Sequence, residues 1–331
     1  MKRFTQAALV VVLATVLGLA LAEGLTRLLA PAFDPSGRFT FDHEIADLVL
    51  ARPGTVARQV KNAGDYDVAV RINPHGLRDA RDIATARPGD VVVVGDSFAW
   101  GWGVEESQRF SNLTGTMTGR RSFNLSTPTD LDGYAALLAY GEALGARLGR
   151  IVVAVCMEND LRLYGPPTGT ATEAAAPPVP PGDWKLWLER RSAAYLFATA
   201  AIHQTPWLRD MAVRIGLVVP NLAGIALNDD VPGIVASSAD RLQSIAARHP
   251  TLVVLIPSRA LWVGANRAAE DRIHGALVAA LSERGVETLD LRPVFEAGGA
   301  PLSFHFANDG HWNPRGHRLA AEAIARRLGV N

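Results

Sequence analysis

The sequence predicts an α/β fold: a doubly wound, five-stranded parallel sheet with helices on both faces. Three observations predict it. Five short runs rich in apolar and β-branched residues recur between residues 91 and 289. They are largely continuous in their apolar character rather than alternating, as strands covered on both faces should be. Helical patterns separate them, and strand, helix, strand repeated in this way means a parallel sheet between two helical layers. With 48% hydrophobic and 20% charged residues, the chain of 331 can bury a large core.

Taken in order, the chain opens on a basic start, Met1-Lys2-Arg3, followed by the apolar run AALVVVLATVLGLALA from Ala7 to Ala22. Counted from Phe4, this is long enough to cross a hydrocarbon core with little tilt. Lys2 and Arg3 then stay in the cytoplasm and the rest of the chain lies outside it. Ala20-Leu21-Ala22 also reads as a small-x-small cleavage site, so residues 1–30 are an uncleaved anchor or a removed signal segment. The first reading gives a membrane-anchored protein and the second a secreted one, with the main domain outside the cytoplasm in both.

Residues 31–89 read as an extension that packs on the core, punctuated by Pro31, Pro35, Pro53, Pro74 and Pro88. Val68-Ala69-Val70-Arg71-Ile72 alternates as a strand, with Asn73-Pro74-His75-Gly76 as its turn. The main domain spans 90–331. Its strands are expected at Val91–Val94, Ser122–Leu125, Ile151–Val155, Leu252–Ile256 and Val286–Leu289. Its helices are expected at 104–118, 131–148, 234–248, 266–284 and 315–328. An insertion at about 166–230 breaks the spacing. It begins with a Pro/Ala/Thr-rich linker at 166–181. Asp183 then caps a helix from Trp184 to about Gln204, and a second helix runs from Pro206 to about Ile215. Its aromatics, Trp184, Trp187, Tyr195, Phe197 and Trp207, pack on the core or a membrane, or form a lid over the site. There is no internal repeat.

Composition excludes some classes. Basic and acidic residues balance at 33 each, which argues against nucleic acid as a partner, because phosphate binding needs a surplus of cations. The single cysteine, Cys156, rules out a disulfide framework and a Cys-based zinc cluster.

The residues that carry chemistry lie at the carboxyl ends of the predicted strands, where open parallel sheets bind ligands. Gly95-Asp96-Ser97-Phe98 puts a Ser in a turn between strand and helix, near a helix N-terminus that favours developing negative charge. By itself such a Ser is as readily a helix cap. Asn124-Leu125-Ser126 follows the next strand and Glu158-Asn159-Asp160 the third. Asn308-Asp309-Gly310-His311-Trp312-Asn313-Pro314-Arg315-Gly316-His317 precedes the last helix. His305, Asp309, His311 and His317 also read as metal ligands, but that reading leaves the Ser and Asn blocks unexplained, and no metal is expected. Trp100, Trp102 and Trp312 flank the proposed site, either packing the fold or offering apolar faces to a sugar or acyl chain.

These four blocks, in this order, resemble the SGNH (GDSL-type) hydrolase superfamily over about residues 90–165 and 250–331. An N-terminal anchor, then Asn-Pro-His-Gly-Leu-Arg at 73–78, then GDSFAWGWGV resembles its membrane-anchored bacterial members. The resemblance implies the flavodoxin-like SGNH fold, with Ser97 as nucleophile, His311 as general base and Asp309 orienting it. It also implies an oxyanion hole from the Ser97 N–H, a Ser126 backbone N–H and the Asn159 amide. Many members space the last two triad residues three apart. The Asp-x-His form here looks more like the alginate O-acetyltransferase-like branch. The implied activity is an SGNH-type serine esterase acting on acetyl or other acyl groups, of a cell-envelope or extracellular glycan or a small ester, without a cofactor. A polysaccharide O-acyltransferase and an inactive glycan-binding or assembly protein are the alternatives. Oligomeric state is not read from the sequence.

Overall fold

The computed structural model describes residues 2–35, 41–45, 48–61, 64–163, 184–215, 231–264 and 266–329. The expected linker at 166–181 and the cap at Asp183 lie outside them. In chain order the elements are α1 (Lys2–Leu29), β1 (Phe41–Ile45), β2 (Leu48–Ala51), β3 (Val56–Val60), β4 (Asp67–Arg71), β5 (Val91–Gly95) and α2 (Ser97–Trp100). Then come α3 (Phe110–Thr118), β6 (Ser122–Asn124), α4 (Leu131–Ala143), β7 (Arg150–Cys156), α5 (Trp184–Glu189), α6 (Ala193–Gln204) and α7 (Pro206–Arg214). The last are α8 (Val231–Arg248), β8 (Thr251–Ile256), α9 (Arg267–Glu283), β9 (Thr288–Asp290), α10 (Arg292–Ala297) and α11 (Pro314–Arg327). They fall into two compact units: α1 with α5–α7, and the sheet with its covering helices.

In the sheet unit, five parallel strands lie in the order β6-β5-β7-β8-β9. Numbered by their sequence within the sheet this is 2-1-3-4-5, the flavodoxin-like order, whose direction reverses between the first and third strands. That switch point lies between β5 and β7. Because side chains alternate along a strand, each strand feeds two cores. Val92, Val94, Ile151, Val153, Val155, Val253 and Leu255 pack toward α4, α8 and α9. Val91, Val93, Val152, Ala154, Leu252, Val254 and Ile256 pack with Phe110 of α3, Phe295 of α10 and Ala320 and Ile324 of α11. Each fully buried aliphatic side chain of this kind contributes about 1.5–3 kcal/mol. The extension joins the first core through Leu48, Leu50, Leu77, Ile83 and Ala86.

Three local differences from the sequence reading have physical causes. The antiparallel hairpin β1–β2 was not expected, because Phe41–Ile45 reads FDHEI and lacks strand alternation. The short helix α10 begins with Pro at its first turn and spans only six residues, too few to show a period. The single helix expected from Trp184 is two, α5 and α6, because Ser192 stops the first and caps the second by accepting the Tyr195 N–H.

The helical unit is held by a polar knot at the end of α1. Glu23 accepts hydrogen bonds from Ser192 Oγ (2.8 Å) and from the Ala193 and Ala194 N–H groups (3.0 and 3.1 Å). It thereby satisfies donors that the first turn of α6 cannot pair internally. Arg27 bonds Glu23 (2.7 Å), Asp34 (2.9 Å) and the Arg191 carbonyl (2.8 Å).

Candidate active site

The site is built at the carboxyl edge of the sheet, at its switch point. Strand β5 ends at Gly95, where a side chain would collide with Ala99 and the Ala154 carbonyl, so only glycine lets β5 turn this tightly into α2. Asp96 caps α2 by accepting the Phe98 N–H (2.9 Å). Ser97 is thus the first residue of α2, and no hydrogen bond from its N–H is found among the described residues, as expected in a first helical turn.

The Ser97 hydroxyl lies 2.8 Å from His311 Nε2. On the other side of the ring, His311 Nδ1 lies 2.5 Å from Asp309 Oδ1, which also accepts the His311 backbone N–H (3.1 Å). Asp309 is buried and His311 half-buried, so one edge of the imidazole is held by carboxylate and the other points to the hydroxyl. The loop that carries them is closed by the His305–Trp312 bridge, the Phe306 N–H to His311 carbonyl bond (3.0 Å) and the Asn313 N–H to Phe304 carbonyl bond (2.9 Å). Asn313 then caps α11. The arrangement can move a proton from a hydroxyl to an imidazole whose tautomer is fixed by a carboxylate.

Asn159 follows β7 across the switch point. It is exposed, and its Nδ2 donates to Asp96 Oδ2 at 3.4 Å. Ser126 is placed differently from the expectation. Its N–H donates to Asn124 Oδ1 (3.0 Å) and the residue is buried, so that donor is spent within the loop. The Asn124 amide in turn bonds the Ala99 carbonyl (2.8 Å) and Ser111 Oγ (3.1 Å). Asn124 therefore braces the turn that carries Ser97.

The three tryptophans divide. Trp100 is 1% exposed and Trp312 0%, so neither offers a face to a substrate. Trp312 packs among Phe98, Phe110 and Phe295, and the Arg78 guanidinium covers Trp100 at 4.6 Å. Large aromatic rings near a site fill the fold beneath it more readily than they line it. Trp102 is half-buried at the rim. Its indole stacks on His311 (5.3 Å between centroids, 23°) and on Phe41 (6.4 Å, 16°).

The buried polar residues behind the site were not legible as a group. Arg78, the last residue of the Asn-Pro-His-Gly-Leu-Arg motif, donates to the Gly101 carbonyl (2.6 Å) and the Val104 carbonyl (2.7 Å). It thereby holds the loop that carries Trp102, which opens at Gly101 with a positive φ of 87°. Burial, then the charge of Arg109, draws the Arg78 guanidinium down to about 9. Asp79 accepts the Asn124 N–H (2.6 Å). The motif was noticed, but nothing in its spacing says that its cation points inward. Arg259 pairs with Glu158 by two bonds, one of them Nε to Oε2 at 3.0 Å, and its guanidinium fills the space a side chain at Gly310 would need.

Two carboxylates lie behind Ser97. Asp160 accepts the Tyr134 hydroxyl (2.6 Å) and the Cys156 N–H (2.8 Å), while its second oxygen is buried with no partner among the described residues. Burial, reinforced by the charge of Asp96, holds the Asp160 carboxyl well above the usual carboxylate range. His305 and His317 are buried neutral imidazoles. Burial and the charge of Arg259 draw His305 down to about 4, and burial with Arg109 draws His317 to about 3. His317 Nδ1 accepts the Phe110 N–H (3.3 Å). Among the described residues no group of three or more His, Cys, Asp or Glu is arranged to hold a metal ion.

Residues 243–330 match the family model described as the SGNH hydrolase-like domain of acetyltransferase AlgX. No protein of curated function matches the chain. Among solved structures it is similar to a member of the lipolytic G-D-S-L family from Veillonella parvula, at 12% identity over 72% of this chain and 96% of that one, TM-score 0.44. It is also similar to a carbohydrate esterase family 2 enzyme with a carbohydrate-binding domain from Corynascus thermopiles. There identity is 13% over 73% of this chain and 66% of that one, TM-score 0.41. A catalytic mutant of Axe2, an acetylxylan esterase from Geobacillus stearothermophilus, matches at 9% identity over 75% and 97%, TM-score 0.42. Over residues 243–330, about the last quarter of the chain, the sequence thus resembles an SGNH hydrolase-like domain of the AlgX type.

Proposed function

We propose that this protein is a serine esterase that removes an acyl group, acetyl by preference, from a glycan outside the cytoplasm. The observation that carries the reading is the line Asp309–His311–Ser97, with contacts of 2.5 and 2.8 Å. Ser97 Oγ attacks the ester carbonyl carbon while His311 Nε2 takes the hydroxyl proton. The oxyanion is stabilised by the Ser97 N–H at the start of α2 and by the Asn159 amide after a turn of its side chain away from Asp96. As the carbonyl re-forms, the bond to the sugar oxygen breaks and His311 returns the proton to it, leaving acyl-Ser97. Water, deprotonated by His311, then releases the carboxylic acid and restores the serine. Trp102 beside His311 forms the rim that an acyl or sugar group meets.

A second reading is an O-acyltransferase, in which a sugar hydroxyl replaces water in the last step. The Asp-x-His spacing and the match of residues 243–330 to the acetyltransferase AlgX family favour it. In both readings α1 anchors the chain in the inner membrane, with the sheet unit on the periplasmic side.

The test compares the full chain in detergent with Ser97→Ala on a chromogenic acetyl ester, with and without added oligosaccharide. Release in water alone, falling at least about 10³-fold in the variant, is expected of the esterase. Release that requires the sugar and adds acyl mass to it selects the transferase instead. Turnover that survives Ser97→Ala removes both.

A further inference from the structure

The helical unit leaves large apolar side chains mostly exposed, even where one face of a ring has a neighbour, as Phe197 has in Phe33 and Trp187 in Arg191. Trp207 and Met211 of α7 and Ile215, which caps it, recur at four-residue spacing on one face, while Ala212 is the buried residue of the helix. In α5, Trp184 and Trp187 share a face, and Phe197 projects from α6. The last turns of α1 add Leu25, Leu28 and Leu29, which lie on the side away from the partly covered Glu23, Thr26 and Arg27. All nine are between 45% and 76% exposed. Single exposed apolar residues need no explanation, but aligned rows on neighbouring helices of one small unit do.

The same unit supplies the apolar phase that fits them. Within the α1 stretch Thr5–Leu29, the most apolar 18-residue window has a mean hydropathy of 2.3 and none of that window is buried. From Phe4 to Ala22 the helix rises about 28 Å, close to the roughly 30 Å thickness of a hydrocarbon core. Glu23 then falls at the lipid–water boundary, where it is tied to the first turn of α6. Helices α5–α7 are therefore fastened to α1 at the depth where Trp side chains are favoured, with the ring in the acyl region and the N–H in the headgroups. Between residues 184 and 215 the sequence has five cations (Lys185, Arg190, Arg191, Arg209, Arg214) against two carboxylates (Glu189, Asp210). That surplus suits anionic headgroups and disfavours a second copy of the same face.

We infer that α5–α7 form a platform seated on the outer surface of the membrane that α1 crosses, with Trp184, Trp187 and Trp207 inserted at headgroup level. The inference rests on reading α1 as a retained anchor. The probe is the full chain reconstituted in vesicles of phosphatidylethanolamine and phosphatidylglycerol, with bromine on the acyl chains near the headgroups. Flotation after an alkaline wash reports the anchor, and tryptophan quenching by the bromolipid reports the platform. Trp184→Phe, Trp187→Phe and Trp207→Phe together should cut that quenching at least about threefold, since of the four indoles that remain Trp100 and Trp312 sit in packed protein and Trp102 and Trp262 are half-buried. A chain that floats but shows the same quenching with and without the three indoles overturns the platform and leaves the anchor standing. A chain that does not float overturns both. Protection from an aqueous quencher that grows with protein concentration, with no bromolipid quenching, assigns the face to a second copy and overturns the platform.

Discussion

The two units solve the same packing problem in opposite ways. The sheet unit hides its apolar side chains in two cores and then spends buried polar groups around one edge: Asp79, Asp96, Asp160, Arg78, Arg109, His305 and His317 are all enclosed. The helical unit keeps its charges at the surface or in the Glu23–Arg27 knot and leaves rows of indole and aliphatic side chains outside. Burying a titratable group costs free energy unless it is paired or stays neutral, so a concentration of such groups marks where the fold serves chemistry. Exposing aligned apolar groups is costly only in water, so it marks where the fold meets something else.

The largest effect that sharpens this contrast is the acid sensitivity of the sheet unit. His317 is neutral in the fold down to about 3, against an ordinary value of 6.5. The unfolded chain takes up this proton from about pH 6.5 downward and the folded chain does not. The stability that the neutral imidazole contributes is complete above that pH and is lost as pH falls toward 3, by up to about 1.4 kcal/mol per pH unit. Asp79, Asp96 and Asp160, all raised by burial, act with the opposite sign. The informative quantity is therefore the difference between wild type and His317→Phe in denaturant midpoints from pH 7 to 4. Wild type should lose stability relative to the variant throughout that window, and parallel curves would refute the assignment of a neutral buried imidazole.

A smaller effect separates the units from the other side. Glu23→Gln keeps an acceptor but removes the charge that holds Ser192, Ala193 and Ala194. Amide exchange at Ala193 and Ala194 should quicken about tenfold, the size of one charge-assisted hydrogen bond. Val93 and Val153, deep in the sheet, should not change. Equal acceleration in both units would mean that they do not fold as the contacts divide them.

How far the sequence spoke depended on the range of the forces involved. The strands of the sheet were legible because VVVV at 91–94 and TLVVLI at 251–256 state burial on both faces locally. Ser97, Asp309 and His311 were singled out by a strand end, a pre-helix loop and the family resemblance of their blocks, and the fold brings the three side chains within hydrogen-bond reach. Trp100 and Trp312 were read as candidates for the substrate face, because no local pattern says that Arg78 or Phe295 will cover an indole. Ser126 was read as a donor because its competitor, the Asn124 carbonyl oxygen, is a matter of loop geometry. The break between α5 and α6 has a local cap in Ser192, but the Glu23 carboxylate that takes the remaining first-turn donors lies about 170 positions away, and no window of sequence contains both.

The central claim is that Ser97 becomes acylated. Rapid-quench intact-mass spectrometry of the full chain with an activated acetyl ester tests it most directly. The account predicts an early species heavier by one acetyl group, located on the peptide containing Ser97 and missing from Ser97→Ala. Turnover with no such species, or with the label on another residue and retained in Ser97→Ala, would contradict it.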